Sequence, residues 1–129
     1  MASGGWLGTG AALKISDGGI RVSDAGIGTH TPVFIHKVNT AAGGNLCQGA
    51  AHATVIDNKI INGIPGAMLI VTPNYGPRNS GTAPAVGIPA VYYDALNECG
   101  KGAGRWVIYN LTGVAQNNQS LFNVMAVVP

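Results

Sequence analysis

Charge is what this chain has least of. Asp, Glu, Lys and Arg make up 9% of its 129 residues, against roughly 25% in an ordinary soluble protein. Seven basic and five acidic side chains leave a net charge of +2, spread thinly. No run of Lys or Arg exists to follow a phosphate backbone, so no nucleic-acid partner is expected. Long apolar stretches are missing too, none approaching the roughly 18 residues that read as a membrane span. The first 30 residues carry neither the basic start nor the apolar centre of a signal peptide. The expectation is a chain made without export or, preferred here, a mature form with an added start Met. Cysteine is sparse, with Cys47 and Cys99 alone. They are compatible with one disulfide, closing a loop worth about 4 kcal/mol on the chain-entropy picture, or with two separate buried thiols.

Catalytic signatures are equally short. The acids are Asp17, Asp24, Asp57, Asp94 and Glu98, and paired acid/base chemistry needs two of them held together. Asp17 and Asp24 have a turn-capping role. Asp57, at a strand end, predicts an Asx-turn, and Asp94 with Glu98 predicts a solvated loop. His30, His36 and His52 do not fall at a ligand spacing, so no metal and no cofactor are expected. His36 reads as a satisfied, half-buried strand residue. No Ser lies in a nucleophile-elbow context, Cys99 has no evident base, and no glycine-rich nucleotide loop occurs. An enzyme is not the expectation, and a small hydrolase stands third among the functional readings.

Hydrophobic residues are plentiful at 47%, and 20 glycines and 7 prolines punctuate them. Apolar runs with strand alternation recur at 12–16, 20–23, 33–38, 53–56, 67–72, 86–93, 105–110 and 121–128. Turn chemistry separates them, including Asp17-Gly18, Asn62-Gly63, Pro65-Gly66 and Asn74-Tyr75-Gly76-Pro77. No window carries a helical period with caps. The chain is therefore expected to be all-β and antiparallel, with 7–8 short strands in a β-sandwich or a small barrel.

A phrase is written twice near the start, KISDGGI (14–20) and RVSDAGI (21–27). Glycines inside the seven-residue period exclude a coiled coil. Leu13, Ile15, Ile20 and Val22 instead alternate with polar residues, so each copy is a strand followed by a turn. Residues 1–28 form a Gly-rich arm on this reading, and 29–129 form the sandwich domain. The arm would lie on its own domain or along the sheet edge of a neighbouring copy.

From Thr31 onwards the stretches TPVFIHK (31–37), TVIDN (54–58), NGIPGAMLIVTPNY (62–75), VGIPAVYYD (86–94), RWVIYN (105–110) and FNVMAV (122–127) follow one another at strand spacing. In these the chain resembles a small all-β domain of bacterial secreted and surface proteins, sometimes in tandem copies and without an assigned activity. The resemblance implies an extracellular β-sandwich-like module. Residues 41–51 and 97–104, which carry the two cysteines, depart from that pattern, and so does the duplicated arm.

Aromatic rings with a polar handle, set among amides, are what remains. In RWVIYN, Trp106 and Ile108 share one face and Val107 and Tyr109 the other, and Trp106 is expected on the core side. One ring of Tyr92-Tyr93 should then point outward. Tyr75 is the best surface aromatic, flanked by Asn74, Arg78 and Asn79, while Asn117 stands in an amide-rich loop at 116–119. Rings stack on a sugar's apolar face and amides read its hydroxyls. Asn74, Tyr75, Arg78, Asn79, Tyr93 and Asn117 are the candidate ligand-binding residues. Asn110 and Asn118 stand in glycosylation-type triplets, which carry no meaning in a bacterial protein. The leading expectation is a non-catalytic extracellular recognition or adhesion module, lectin-like, whose partner is a glycan or cell-surface polymer. The alternative is a self-assembling structural subunit, a homo-oligomer that uses the arm for strand exchange with copies of itself.

Overall fold

The computed structural model describes residues 32–76 and 84–129. The arm, with Leu13, Ile15, Ile20 and Val22, and the candidates Arg78 and Asn79 lie outside the described residues. Among the described residues the protein is all-β, with seven strands: β1 (Val33–Lys37), β2 (Leu46–Cys47), β3 (Ala50–Val55), β4 (Met68–Asn74), β5 (Pro89–Asp94), β6 (Arg105–Asn110) and β7 (Leu121–Val127). They form two antiparallel sheets, ordered β1-β7-β4 and β2-β3-β6-β5. The chain therefore changes sheet between β1 and β2, β3 and β4, β4 and β5, and β6 and β7. That is a sandwich. No helix among the described residues is long and apolar enough to cross a membrane.

Alternation decides what goes inside. Phe34 and His36 of β1 and Phe122, Val124 and Ala126 of β7 point inward, where Trp106 and Ile108 of β6 meet them. Leu69 and Val71 of β4 and Val91 and Tyr93 of β5 pack at the margin of this core. The turn segment 56–67 plugs one end, burying Ile56 and Ile61. Asn58 winds it, accepting the amides of Ile61 and Asn62 on its carbonyl and that of Ile60 on its side-chain oxygen. Ile64 then takes the Trp106 indole N–H on its carbonyl at 3.1 Å, so the largest core ring is not left with an unpaired donor.

Several local expectations change. β2 adds a two-residue strand with a register shift at Leu46/Cys47, too short to show a period. β5 begins at Pro89 because Gly87, with φ of 69°, breaks the extended run that starts at Val86. Pro73 lies within β4, which is tolerable because β4 is an edge strand. Asp57 does not close an Asx-turn. Asn58 does, and Asp57 Oδ1 instead receives Asn62 Nδ2 at 2.8 Å and sits 3.5 Å from Arg105 Nη1. Nor is Asp94 in a solvated loop. It is buried and accepts the backbone N–H groups of Glu98 and Cys99 at 2.9 Å each, because the turn it begins folds back over it.

The outer face of the four-stranded sheet has a second small core. Cys47 and Cys99 are joined in a disulfide that lies there with Ala53, Val55 and Val107, beside Tyr92 and Tyr109. The alternation along β5 is as expected, since Tyr93 faces inward against Trp106 and Tyr92 faces outward against Tyr109, both edge-on. Tyr92 is nevertheless half-buried, because the disulfide covers that face. Its hydroxyl is 3.2 Å from Cys99 Sγ. Burial, then the Asp94 and Glu98 carboxylates and the Tyr109 phenol, raise its pKa.

The two sheets are joined by a buried polar chain. Thr54 donates its hydroxyl proton to Asn45 Oδ1 at 3.0 Å, so it accepts from His36 Nε2–H at 2.9 Å. Burial lowers the His36 pKa from 6.5 to about 4. The unfolded chain then binds a proton that the folded chain refuses. This contribution is fully present above pH 6.5 and is lost as pH falls from 6.5 to about 4, an effect on the order of 3 kcal/mol. Urea unfolding of the wild type is expected to weaken across that window. His36→Gln, which keeps a donor and cannot titrate there, should be less stable at neutral pH but show a flatter acid limb. Equal slopes in the two proteins would exclude His36 as the acid-labile group. For the disulfide, which spans 52 residues, replacing both cysteines with alanine should cost about 4 kcal/mol in the same assay.

Candidate functional site

The two outer faces of the sandwich differ. The disulfide and its tyrosines cover one, whereas among the described residues nothing packs over the outer face of β1-β7-β4. Register sets its rows: Val33, Met125 and Ile70 lie side by side, then Ile35, Asn123 and Thr72, then Lys37, Leu121 and Asn74. Val127 and Met68 extend the apolar end. Met68 is 57% exposed and Ile70 48%, high for large apolar residues on a sheet. The surface thus grades from apolar to amide-rich along the strands.

At the polar end the side chains are pre-oriented. Asn74 Nδ2 donates to Asn123 Oδ1 at 2.8 Å, and Asn123 Nδ2 donates to Thr72 Oγ1 at 3.1 Å. Asn74 Oδ1 accepts the N–H of Gly76 at 2.7 Å, fixing the turn that follows β4. Each amide nitrogen carries a second hydrogen beyond the bond it makes here. Tyr75, between Asn74 and Gly76, is 68% exposed. A row of amides and a hydroxyl, followed in the chain by an exposed phenol ring, offers donors and acceptors for a polyol and a ring for stacking.

Of the sequence candidates, Asn74 and Tyr75 fall together at this end. Asn117 precedes β7 by a few residues, and its Nδ2 donates to Pro84 O at 2.8 Å. Tyr93 lies apart, facing the interior against Trp106. The amides around Asn117 mostly hold the loop. Gln116 is buried, with Nε2 on His52 O, and Asn118 Oδ1 accepts the N–H of Thr40. Asn110 is buried against the 112–114 turn, so that triplet offers no acceptor to a glycosylating enzyme. Asn123 and Thr72 belong to the surface row and were not among the candidates. The signal for Asn123 was the alternation of FNVMAV, in which a polar residue lies outward between Phe122 and Val124.

Among the described residues no three His, Cys, Asp or Glu side chains form a metal-holding group. No curated protein and no solved structure matches the chain. One family does match, over residues 27–126, and the chain belongs to it: Domain of unknown function (DUF7452).

Proposed function

We propose that this domain is a non-catalytic extracellular recognition module that docks on a carbohydrate polymer through the open face of its three-stranded sheet. The observation that carries this reading is the hydrogen-bonded row Asn74–Asn123–Thr72, followed in the chain by exposed Tyr75, on a sheet face that no other described residue covers. A flat face suits an extended polymer. Its apolar rows match the hydrophobic faces of sugar rings, and its amides match the hydroxyls at their edges. The Cys47–Cys99 disulfide is compatible with an oxidising compartment, as is the resemblance to secreted and surface domains.

A second reading draws on the apolar end of the same face. Met68, Ile70, Met125 and Val127 would be buried if another copy stacked on it, and a structural subunit would gain from the low charge.

Retention on insoluble polysaccharides, chitin and cellulose among them, tests the first reading. Tyr75→Ala and Asn123→Ala are expected to weaken retention on the bound polymer by about tenfold or more, with unchanged unfolding midpoints because both side chains are exposed. Undiminished retention in both variants would remove the face from the binding account. Light scattering after size exclusion, on the full chain and on Ile70→Lys, tests the second. A larger species from the full chain that falls to a monomer in Ile70→Lys is the outcome that stacking on this face requires.

A further inference from the structure

We infer that the cleft between the 39–45 loop and the 97–104 loop is a second binding site, for a single carboxylated sugar unit such as a hexuronate. The sugar class rests on the recognition reading above. The site itself does not, since it shares no residue with the open face.

The cleft has a volume of about 330 Å³ and is lined by Asn39, Gly43, Gly44, Asn45, Val55, Asp57 and Lys101. That is at the lower end of the roughly 300–1,000 Å³ of small-molecule sites, room for one ring rather than an oligomer. Its walls are firmly set. Asn45 Oδ1 accepts the N–H of Asn39, Asn39 Oδ1 accepts that of Ala41, and Asn45 Nδ2 donates to Lys37 O. Gly44 is pressed so closely on the Asn39 carbonyl that no side chain fits there. Gly43, with φ of 75°, faces open space, so bare backbone lines this wall. On the opposite wall, Asn97 Oδ1 accepts the N–H of Gly102 at 2.6 Å, and Asp94 holds the turn that begins the loop. The disulfide ties the two walls together, since Cys47 follows Asn45 by two residues and Cys99 precedes Lys101 by two. Gln48 N–H on Cys99 O at 3.0 Å repeats the tie in backbone.

Charge selects the ligand. In a chain with so few ionised groups, Lys101 and Asp57 share one cleft, and Arg105 stands beside Asp57. Lys101 is half-buried and makes no ion pair or hydrogen bond among the described residues. The Asp57 side chain is 77% exposed, although it is paired with Arg105. Two cations against one carboxylate leave a single net positive charge. A monoanion neutralises that charge without excess, and hydroxyls on it supply donors for Asp57 that a bare anion lacks. Its carboxylate would take the Lys101 ammonium, and its hydroxyls would donate to Asp57.

The test is an amide NMR titration of the full chain with sodium glucuronate, beside glucose, acetate and inorganic phosphate. Glucuronate is expected to shift the amides of Gly43, Gly44 and Lys101 saturably, with at least tenfold weaker responses from the other three. Lys101→Ala and Asp57→Asn should each weaken glucuronate binding about tenfold or more, with the remaining spectrum preserved. No shift at these amides, shifts that survive Lys101→Ala, or an equal response to glucose or phosphate would overturn the assignment. Polymer retention through Tyr75 is expected to be unchanged in Lys101→Ala. Loss of either binding activity is thereby read separately from the other.

Discussion

One amide side chain, that of Asn45, ties together three separate segments of this structure. Its oxygen receives the Asn39 amide and the Thr54 hydroxyl, and its nitrogen reaches the Lys37 carbonyl. The first contact shapes the loop between β1 and β2, the second reaches into the four-stranded sheet, and the third holds the end of β1. Through Thr54 the chain continues to His36, which faces the core from the other sheet. A polar chain buried between two sheets costs free energy unless every member is matched. The Nε2–H bond to Thr54 is available to the neutral and the charged ring alike, and it is burial that favours the neutral one.

Scarcity of charge explains why amides appear wherever a loop must be held. Asn39, Asn58, Asn62, Asn74, Asn97 and Asn110 each place a side-chain oxygen on a backbone N–H of their own turn. Such bonds are local and neutral, so ionic strength has little hold on them. They also let the turns be short, which keeps the strands in register without helical crossovers. The same economy separates the two outer faces. The disulfide, an apolar crosslink, covers the four-stranded sheet together with two tyrosines, and among the described residues nothing packs over the alternating residues of the three-stranded sheet.

Much of this was legible in the sequence, because burial on one face of a strand writes a period of two. RWVIYN put Trp106 inward and Tyr109 outward, as observed, and the same alternation runs through β1 and β7. The β2 strand was not legible, since two residues carry no period and its pairing depends on the turn at Gly49. The start of β3 in AAHATV was hidden for a related reason. Alanine has little preference for a strand, and the pairing with β2, which sets Ala50 opposite Cys47, imposes it. Whether Cys47 and Cys99 bond is a question of position across the fold, and spacing alone left it open. Asp94 misled because a carboxylate in a loop is usually solvated. The two amides it caps, those of Glu98 and Cys99, come from the turn that follows it and folds back over it.

The surface was partly legible for the same reasons. Tyr75 could be placed because it sits in a turn where no core is within reach. Asn123 could be placed by parity, but only with β7 and β4 in register does it stand between Thr72 and Asn74. Lys101 and Asp57 are 44 positions apart in sequence, and nothing in either neighbourhood points to the other. They line one cleft because β3 and β6 are antiparallel neighbours, which sets the end of β3 beside the start of β6. A period shows which way a side chain faces, and it reads the core well. A site assembled from separate loops depends on what holds those loops together, and in this chain that is a disulfide and a set of asparagines.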